Sequence, residues 1–243
     1  MARRSRTKNK AAAEPLAAIR RTPRRVMRWV AKVLFIAALV MLALVALGRF
    51  VNPWTTPYIF AESRRLGGVA QEWVPIERIA PAMARSVVAA EDANFCEHWG
   101  FDLKAIRVAI AEGGDRGAST VTQQVVKNVY LWHGRNYARK ALEALLTPVL
   151  ELLWPKRRIV EVYMNVAEFD EGVFGVEAAA RHYFGVSASD LSDVQAARLA
   201  AILPDPKGRS ASRPSDFVRK RARSILNGAA TIRADGRAGC FES

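Results

Sequence analysis

Cysteine and histidine are scarce in this sequence of 243 residues, which contains two cysteines and three histidines. Cys96 and Cys240 lie far apart, and their spacing is typical of neither a metal site nor a small disulfide scaffold. They would pair only if the fold brought them together, and we expect two free thiols. The histidines, His98, His133 and His182, are dispersed, so no tightly bound structural metal is expected.

Acidic side chains are almost missing from the N-terminal segment. Residues 1–32 contain eleven Lys or Arg residues and a single acid, Glu14, so this segment carries +10 of the net charge of +14. The rest of the chain has no basic motif interleaved with aromatic residues, so no nucleic-acid partner is expected. Apolar residues make up 51% of the chain and charged residues 25%, which excludes an intrinsically disordered polymer.

A long apolar run follows the basic segment. Val33–Leu47 contains no polar side chain, and Trp29 and Phe50 extend the run if the basic residues beside them snorkel. Because a bilayer-spanning helix needs about 20 apolar residues, we predict a transmembrane helix over 29–51. Two alternatives stay open: a signal peptide cleaved near the end of the run, and a buried core helix.

The asymmetry of basic residues predicts the orientation of this helix, since cytoplasmic flanks are rich in Lys and Arg. Residues 1–28 are then a cytoplasmic tail, and the chain beyond the membrane is exported. Prolines and glycines over 52–75 predict an extended juxtamembrane connector. We predict a folded domain over 76–226 and a C-terminal tail over 227–243.

The exported part is predicted to be mostly α, because few runs alternate apolar and polar residues with period two. Pro148 is expected to kink the helix that contains it. The candidate helices are Arg85–Cys96, Leu103–Glu112, Thr120–Leu131, Tyr137–Leu153, Arg157–Val166, Val176–Tyr183, Asp193–Leu203 and Ser215–Leu226.

The first unusual string is EDANFCEHWGFD, residues 91–102. If the segment is helical, Glu91, Phe95 and His98 share one face, which places an acid beside an aromatic ring and an imidazole. A carboxylate in a partly apolar wall has a raised pKa, which suits a general base. The alternative is an acid at a helix end that is capped by its neighbours.

The second string is GASTVTQQVVKN, residues 117–128. Ser119 or Thr120 can cap the helix that follows, and Gln123 and Lys127 then share a face. A helix start with hydroxyls and a lysine is suited to binding an anion such as a phosphate. The alternative is a polar surface helix.

The third string is GRNYARKALE, residues 134–143, in which Arg135, Arg139 and Glu143 follow one helical face. The pair Arg139–Glu143 alone is explained by a helix-stabilising ion pair worth about 0.2–0.5 kcal/mol. The combination favours a functional site, since it joins two acids, Glu91 and Glu143, with two cations from separate segments.

These strings, followed by KRRIVEVYMN (156–165) and GVFGVEAAARHYFG (172–185), resemble the ordered motifs of the peptidoglycan glycosyltransferases, glycosyltransferase family 51. The closest likeness is to the stand-alone, monofunctional, membrane-anchored form, and the resemblance covers residues 75–210. The departures from the family pattern are mild and remove no charged group with an expected role. They are Ala118, Val160, Met164, Asp170 and Gln195.

The resemblance implies a mostly α, lysozyme-like fold with a small membrane-proximal lobe. It implies that Glu91 is the general base, that Lys127 and Arg135 hold a pyrophosphate, and that Glu143 is a second acid with a positioning or metal-binding role. The further substrate-binding residues are expected to be Ser119, Thr120, Gln123, Gln124, Asn128, Arg139 and Lys140.

The implied reaction is polymerisation of lipid II into glycan strands, displacing undecaprenyl pyrophosphate with inversion at the anomeric carbon. One base with Lys and Arg agrees with this, because a pyrophosphate leaving group needs no acid to protonate it, whereas the alkoxide left by a glycosidase does. No transpeptidase activity is expected, since the exported part has no Lys-Thr-Gly or Ser-Asp-Asn motif. The alternatives are a lysozyme-like glycan-cleaving enzyme and a non-catalytic cell-wall scaffold.

The resemblance also implies the surroundings of the protein. We expect a single-pass protein of the bacterial inner membrane, with a cytoplasmic N-terminus and a periplasmic catalytic domain. Its partners would be lipid II, the growing glycan strand, the membrane and proteins of cell-wall synthesis or division. No cofactor is expected to be required, and assistance by Mg²⁺ or Mn²⁺ at the pyrophosphate is left open.

Overall fold

The computed structural model describes residues 15–111, 113, 119–134 and 136–242. The chain divides into two compact units, Met1–Val45 and Ala46–Ser243. In the described residues the structure has eleven α-helices and three strands of two or three residues. The predicted mostly α fold class is therefore confirmed.

The helices follow one another along most of the chain. They are α1 (Pro15–Gly48), α2 (Pro57–Leu66), α3 (Pro81–Glu91), α4 (Leu103–Ala111), α5 (Val121–Tyr130), α6 (Tyr137–Leu153), α7 (Lys156–Val166), α8 (Val176–Phe184), α9 (Asp193–Ile202), α10 (Asp216–Ala234) and α11 (Gly239–Glu242). The strands are β1 (Ala70–Gln71), β2 (Glu168–Asp170) and β3 (Val173–Phe174).

Helix α1 contains the long apolar run. Its stretch Arg24–Gly48 has 25 residues, and the most apolar 18-residue window within it has a mean hydropathy of 2.8 and is 6% buried. At about 1.5 Å per residue this length exceeds the roughly 30 Å hydrocarbon core of a bilayer. The helix therefore fits a single-pass membrane anchor. It ends at Gly48, whereas the sequence predicted that the span continues to residue 51.

Helix α2 lies in the segment that was predicted to be an extended connector, and that prediction is wrong for residues 57–66. Thr56 accepts a hydrogen bond from the Ile59 backbone N–H, and Pro57 occupies the first turn, where its missing N–H costs nothing. Gly67 ends the helix in the left-handed conformation with φ 77°. The proline and the glycine mark the helix ends instead of preventing the helix.

The three strands form a small sheet in the order β1-β3-β2. Strand β3 pairs in parallel with β1 and antiparallel with β2. The segment that follows β1 is tied to α7 by Asn165, whose amide exchanges two hydrogen bonds of 2.9 Å with the backbone of Val74. Gly175 has φ 82°, and a Cβ there would lie 2.8 Å from the Asn165 carbonyl oxygen, so the turn after β3 requires glycine.

Two groups of helices build the core of residues 46–243. Helices α3, α9 and α10 pack against one another, and α5 packs against α6 and α7. The largest fully buried side chains are Tyr163, Phe95, Phe169, Phe174, Phe241, Met83, Leu150, Ile159, Met164, Leu199, Ile202 and Ile232. Because α3 and α5 bury apolar residues along their length, the polar residues at their other positions are held in fixed places.

Helix α10 continues to Ala234, eight residues beyond the end predicted at Leu226. It passes through Gly228, where a Cβ would lie 3.2 Å from the Cβ of Ala89 on α3. The glycine therefore permits a close approach of the two helices. The predicted tail, 227–243, contributes the end of α10 and the short helix α11.

The two cysteines form a disulfide, so the expectation of free thiols is wrong. Helix α11 packs on α7 and reaches the 3-10 turn Phe95–Glu97 that follows α3. Phe241 is fully buried there, with its ring centroid 6.4 Å from that of Phe95. The hydrophobic contact brings Cys240 beside Cys96, an arrangement that sequence spacing does not reveal.

Candidate active site

Glu91 is the last residue of α3, a helix whose apolar face is buried. One carboxylate oxygen, Oε2, accepts a 2.7 Å hydrogen bond from the Gln124 side chain on α5. The other oxygen, Oε1, is buried and has no hydrogen-bond partner among the described residues. A buried carboxylate with one free oxygen can accept a proton from a substrate hydroxyl.

Burial is the main cause of a raised pKa for Glu91. The neighbouring charge of Asp92 raises the pKa further. The Gln124 hydrogen bond and the positive charges of Arg221 and Lys127 act in the opposite direction. The net effect is a raised pKa, which makes the ionised carboxylate a stronger base, as expected of a general base.

The amide of Gln124 is oriented by Tyr163 of α7, whose hydroxyl donates to Gln124 Oε1 at 3.3 Å. With its oxygen engaged there, the amide NH₂ group faces Glu91. Tyr163 is fully buried, and burial raises its pKa well above the ordinary value, so it stays a donor. The fourth motif of the sequence contains this tyrosine, but sequence reasoning gave it no role.

The sequence predicted that Glu91, Phe95 and His98 share one face if the segment is helical. They do not, because the chain leaves the helical conformation at Asp92. The cause is the Asp92 carboxylate, which accepts hydrogen bonds from the Val121 backbone N–H at 3.1 Å and pairs with His98 Nε2 at 2.7 Å. Asp92 thereby joins the end of α3 to the start of α5. The base and the helix that carries its partners are fixed to each other.

Asp92, His98 and Asp102 form one group of possible metal ligands in the described residues, with ligand atoms within 4.8 Å of one another. Both Asp102 oxygens already accept hydrogen bonds, from the Asn94 side chain and the Ala105 backbone, each at 2.9 Å. Asp92 is also fully engaged. We interpret the group as a hydrogen-bond network that shapes the 92–102 segment.

Helix α5 begins with a capping box. Thr120 accepts a hydrogen bond from the Gln123 backbone N–H, and the Gln123 side chain accepts one from the Thr120 backbone N–H at 3.1 Å. Thr120 also donates to the Gly100 carbonyl at 2.7 Å. Thr120, not Ser119, is therefore the cap, and both side chains of the box are buried.

The second acid, Glu143, is buried on α6 and meets two cations. Arg139 Nη1 lies 2.7 Å from Glu143 Oε2, and Lys140 pairs with Oε1. The predicted Arg139–Glu143 pair is thus present, and Lys140 also donates to Ser119 Oγ at 3.2 Å. The predicted site residue Arg135 lies outside the described residues.

Lys127 lies on α5 between the two acids. Its pKa is lowered by burial, while the negative charges of Glu143 and Glu91 oppose that effect. The ammonium group is therefore poorly solvated and lies among charges of both signs. Binding of an anionic ligand to such a cation is favourable, because little water has to be displaced from the ammonium group.

The side chain of Lys127 lines a cavity of about 400 Å³. Gln124 and Asn128 of α5 line the same cavity, so three predicted site residues meet there. The cavity also contains residues that the sequence did not single out. These are Tyr58, His133, Tyr163, Val166, Ala167, Glu168, Leu203, Pro204, Asp205, Pro206 and Lys207.

Tyr58, His133, Glu168 and Lys207 form an aromatic and polar wall of the cavity. The rings of Tyr58 and His133 stack with their centroids 3.5 Å apart, and the Tyr58 hydroxyl donates to Glu168 Oε2 at 2.6 Å. Lys207 Nζ lies 3.3 Å from Glu168 Oε1. Stacked rings beside carboxylate and ammonium groups offer both apolar and hydrogen-bonding contacts to a sugar.

The two rings of this wall keep their protonation states over a wide pH range. Burial lowers the pKa of His133 to about 4, and the positive charges of Lys127 and Arg139 lower it further. Burial and the hydrogen bond to Glu168 raise the pKa of Tyr58 to about 12. At neutral pH the imidazole is uncharged and the phenol is protonated.

The sequence profile of the transglycosylase family matches residues 61–230, which include α3, α5, α6 and every residue that lines the cavity except Tyr58. The chain belongs to the transglycosylase family. The predicted glycosyltransferase class and lysozyme-like fold are confirmed by this membership.

Three relatives show how far the likeness of this transglycosylase extends, and each is called a biosynthetic peptidoglycan transglycosylase. The protein of Jannaschia sp. (strain CCS1) is 60% identical over 214 residues, which cover 88% of this chain and 90% of the relative. That of Caulobacter vibrioides is 47% identical, covering 81% and 87%. That of Rhodospirillum centenum is 43% identical, covering 89% and 96%.

Proposed function

We propose that this transglycosylase polymerises lipid II with Glu91 as general base and with the cations of α5 and α6 at the leaving group. Lipid II and the growing glycan strand are the substrates that the family implies. One observation carries the proposal: the Gln124 side chain binds the Glu91 carboxylate and also lines the cavity beside Lys127. A base and a cation therefore serve the same cavity.

The bond-forming step follows from this arrangement. The 4-hydroxyl of the acceptor sugar gives its proton to Glu91 while its oxygen attacks the anomeric carbon of the donor. The bond from that carbon to the pyrophosphate breaks on the opposite face, and its electron pair stays on the phosphate oxygen. The configuration inverts, and Glu91 returns its proton to water when the product moves. Its raised pKa makes it a stronger base than an exposed glutamate.

The leaving group is a pyrophosphate, whose negative charge needs cations and no acid. Lys127 supplies one cation at the cavity, and burial increases its gain from an anion. We assign the second to Arg135, which directly precedes the Asn136 cap of α6. Arg139 and Lys140, one turn further along, add positive charge to the same end of the helix.

Glu143 organises these cations. Its carboxylate is buried, and both oxygens are paired, one with Arg139 and one with Lys140. With both oxygens paired, this donor set does not fit a Mg²⁺ or Mn²⁺ ion. We therefore propose a positioning role for Glu143 and a mechanism without a metal step.

The test is polymerisation of labelled lipid II by Glu91→Gln. We expect the loss of about 10²–10⁴-fold in rate that removal of a general base produces. The matched control is Glu97→Gln, which changes an exposed acid in the turn after α3 and should polymerise at the parental rate. The product of the parent should be long polymer that carries undecaprenyl pyrophosphate.

Two results would contradict the proposal. If Glu91→Gln polymerised lipid II as fast as the parent, Glu91 would not be the base. If the parent shortened preformed glycan without making polymer, the chain would be a glycan-cleaving enzyme, and if it did neither, a scaffold.

We further propose that the N-terminus is cytoplasmic and that the domain faces the periplasm from the inner membrane. The basic segment before α1 supports this orientation. The disulfide supports it independently, because disulfides persist in oxidising compartments such as the periplasm. Protease added to spheroplasts should digest the domain and spare an N-terminal tag, whereas the opposite pattern would reverse the orientation.

A further inference from the structure

Helix α10 brings a cation to the end of α3 where Glu91 lies. Arg221 projects from α10 toward α3, and its Nη2 lies 3.5 Å from the carbonyl oxygen of Ala90, the residue before Glu91. Its Nε is buried and has no hydrogen-bond partner among the described residues. A buried N–H donor that is unused normally has an acceptor within reach.

Glu91, the residue after Ala90, also has an unused acceptor: its Oε1 is buried and has no hydrogen-bond partner in the described part of the chain, so it makes no direct hydrogen bond to Arg221 Nε. The contact with Ala90 places the guanidinium one residue from Glu91, and its positive charge lowers the pKa of Glu91. A buried donor and a buried acceptor of opposite charge thus lie on helices that pack together.

We propose that Arg221 is a positioning residue for the general base, which holds the Glu91 carboxylate ionised and ready to accept the proton. The inference rests on the proposed function of Glu91 as base. Arg221 touches neither sugar nor pyrophosphate in this role, and it acts only through Glu91.

The other groups around Glu91 show why this cation is needed. Burial and the neighbouring charge of Asp92 favour the neutral carboxyl. Gln124 donates one hydrogen bond but carries no charge. Lys127 carries a charge, but Glu143 also attracts it, and in the proposed reaction the pyrophosphate does too. Arg221 is the cation on α10 that stays with the base throughout turnover.

The first experiment measures kcat/KM for lipid II against pH in the full-length protein. We expect the acidic limb of Arg221→Gln to lie about 1 pH unit above that of the parent, since loss of a nearby opposite charge raises a carboxyl pKa by 1–3 units. At a pH below both limbs this shift is a loss of about tenfold. Arg221→Lys keeps the charge and should move the limb much less.

The matched control is Arg223→Gln, which removes one positive charge from an exposed position on the same helix. Its pH profile should coincide with that of the parent, which separates an effect on Glu91 from an effect of net charge. If the profiles of Arg221→Gln and the parent coincided while the melting temperature fell, Arg221 would only cap α3, and the inference would be overturned.

The second experiment does not depend on turnover. It compares the melting temperatures of the parent, Arg221→Gln, Glu91→Gln and the double variant at pH 8. If Arg221 holds the Glu91 carboxylate, Arg221→Gln should lower the melting temperature less in the Glu91→Gln background than in the parent. Equal losses in both backgrounds would overturn the inference.

The two proposals fail in different ways. If Glu91→Gln kept full activity, the proposed base would be wrong, whatever the melting temperatures showed. If Glu91→Gln was inactive but Arg221→Gln shifted neither the pH profile nor the coupling, only the role of Arg221 would be wrong.

Discussion

At the scale of single residues, Glu91 is placed where function and stability oppose each other. Catalysis needs an ionised carboxylate, whereas burial of the group and its unpaired oxygen favour the neutral form. Proteins often accept such a cost at an active site, where a stabilising substitution then removes activity. Because the pKa of Glu91 is raised, the ionised carboxylate lowers the stability of the folded state.

We predict that Glu91→Gln is more stable than the parent at neutral pH. A pKa that is higher in the folded than in the unfolded state means that stability is lost as the pH rises through the folded-state pKa. Glutamine stays neutral and avoids this loss. The variant should melt a few degrees higher at pH 8, since 1 kcal/mol corresponds to about 2–4 °C in a domain of this size.

Thermal unfolding followed by circular dichroism from pH 4 to pH 8 measures this difference. It should be small at pH 4, where the carboxyl is protonated in both states, and should grow with pH. Glu97→Gln, at an exposed position, should show no such trend. A Glu91→Gln variant that melted below the parent at pH 8 would mean that the carboxylate stabilises the fold.

At the scale of secondary-structure elements, the positions of the site residues on α5 depend on the first turn of that helix. Gln124 and Lys127 lie within two turns of the Thr120 cap, so the cap determines where they stand. The sequence predicted a cap at Ser119 or Thr120 from the hydroxyls alone, because capping is a local interaction. It could not predict the end of α3, because the Asp92 hydrogen bond to Val121 joins segments 29 residues apart.

Two N-caps of the same kind allow a controlled prediction. Thr120 of α5 and Ser192 of α9 both form capping boxes, but only the first lies beside the site. Replacing either by alanine should cost about 0.5–2 kcal/mol of stability. Thr120→Ala should also lower kcat, whereas Ser192→Ala should leave it unchanged.

Urea unfolding and steady-state turnover of lipid II test the pair. Thr120→Ser keeps the hydroxyl and should restore both stability and kcat. If Thr120→Ala raised KM without loss of stability, Thr120 would contact the substrate, as the family resemblance implied.

The disulfide also depends on contacts between residues that lie far apart in the sequence. Sequence spacing could not reveal it, since Cys96 and Cys240 meet only because Phe241 is buried against Phe95. A crosslink that closes a loop of this length restricts the unfolded chain strongly.

We predict that Cys96→Ser/Cys240→Ser loses about 2–5 kcal/mol of stability. The parent in excess dithiothreitol should unfold at the same urea concentration as the double variant, and dithiothreitol should not affect the variant. A parent whose stability did not change on reduction would show that packing of α11 alone holds this end of the chain.

At the scale of the whole molecule, local sequence patterns determine some features of the structure and tertiary contacts determine the others. Charge and hydropathy placed the apolar helix, and the motifs placed Glu91, Lys127 and Glu143 in one region. The aromatic and polar wall of the cavity could not be predicted from the sequence, because Tyr58, His133, Glu168 and Lys207 come from four separate segments. None of these segments carries a periodic or motif signal for that cavity.

The last prediction concerns the independence of the second unit. Residues 46–243 form a compact unit with its own buried core, its disulfide and every described residue of the site. We therefore expect this segment, produced without the residues before Ala46, to unfold cooperatively. In the same detergent its melting temperature should agree with that of the full chain within about 4 °C, the shift that 1 kcal/mol produces in a domain of this size.

The shortened protein should also turn over lipid II in detergent micelles with the kcat of the full chain, because the base and the cations lie within it. Its binding to lipid vesicles should be weaker, since the apolar helix supplies most of the membrane affinity. A broad, non-cooperative transition would show that the domain needs the first unit in order to fold. Cooperative unfolding with lost turnover in micelles would instead mean that α1 takes part in presenting the lipid substrate to Glu91.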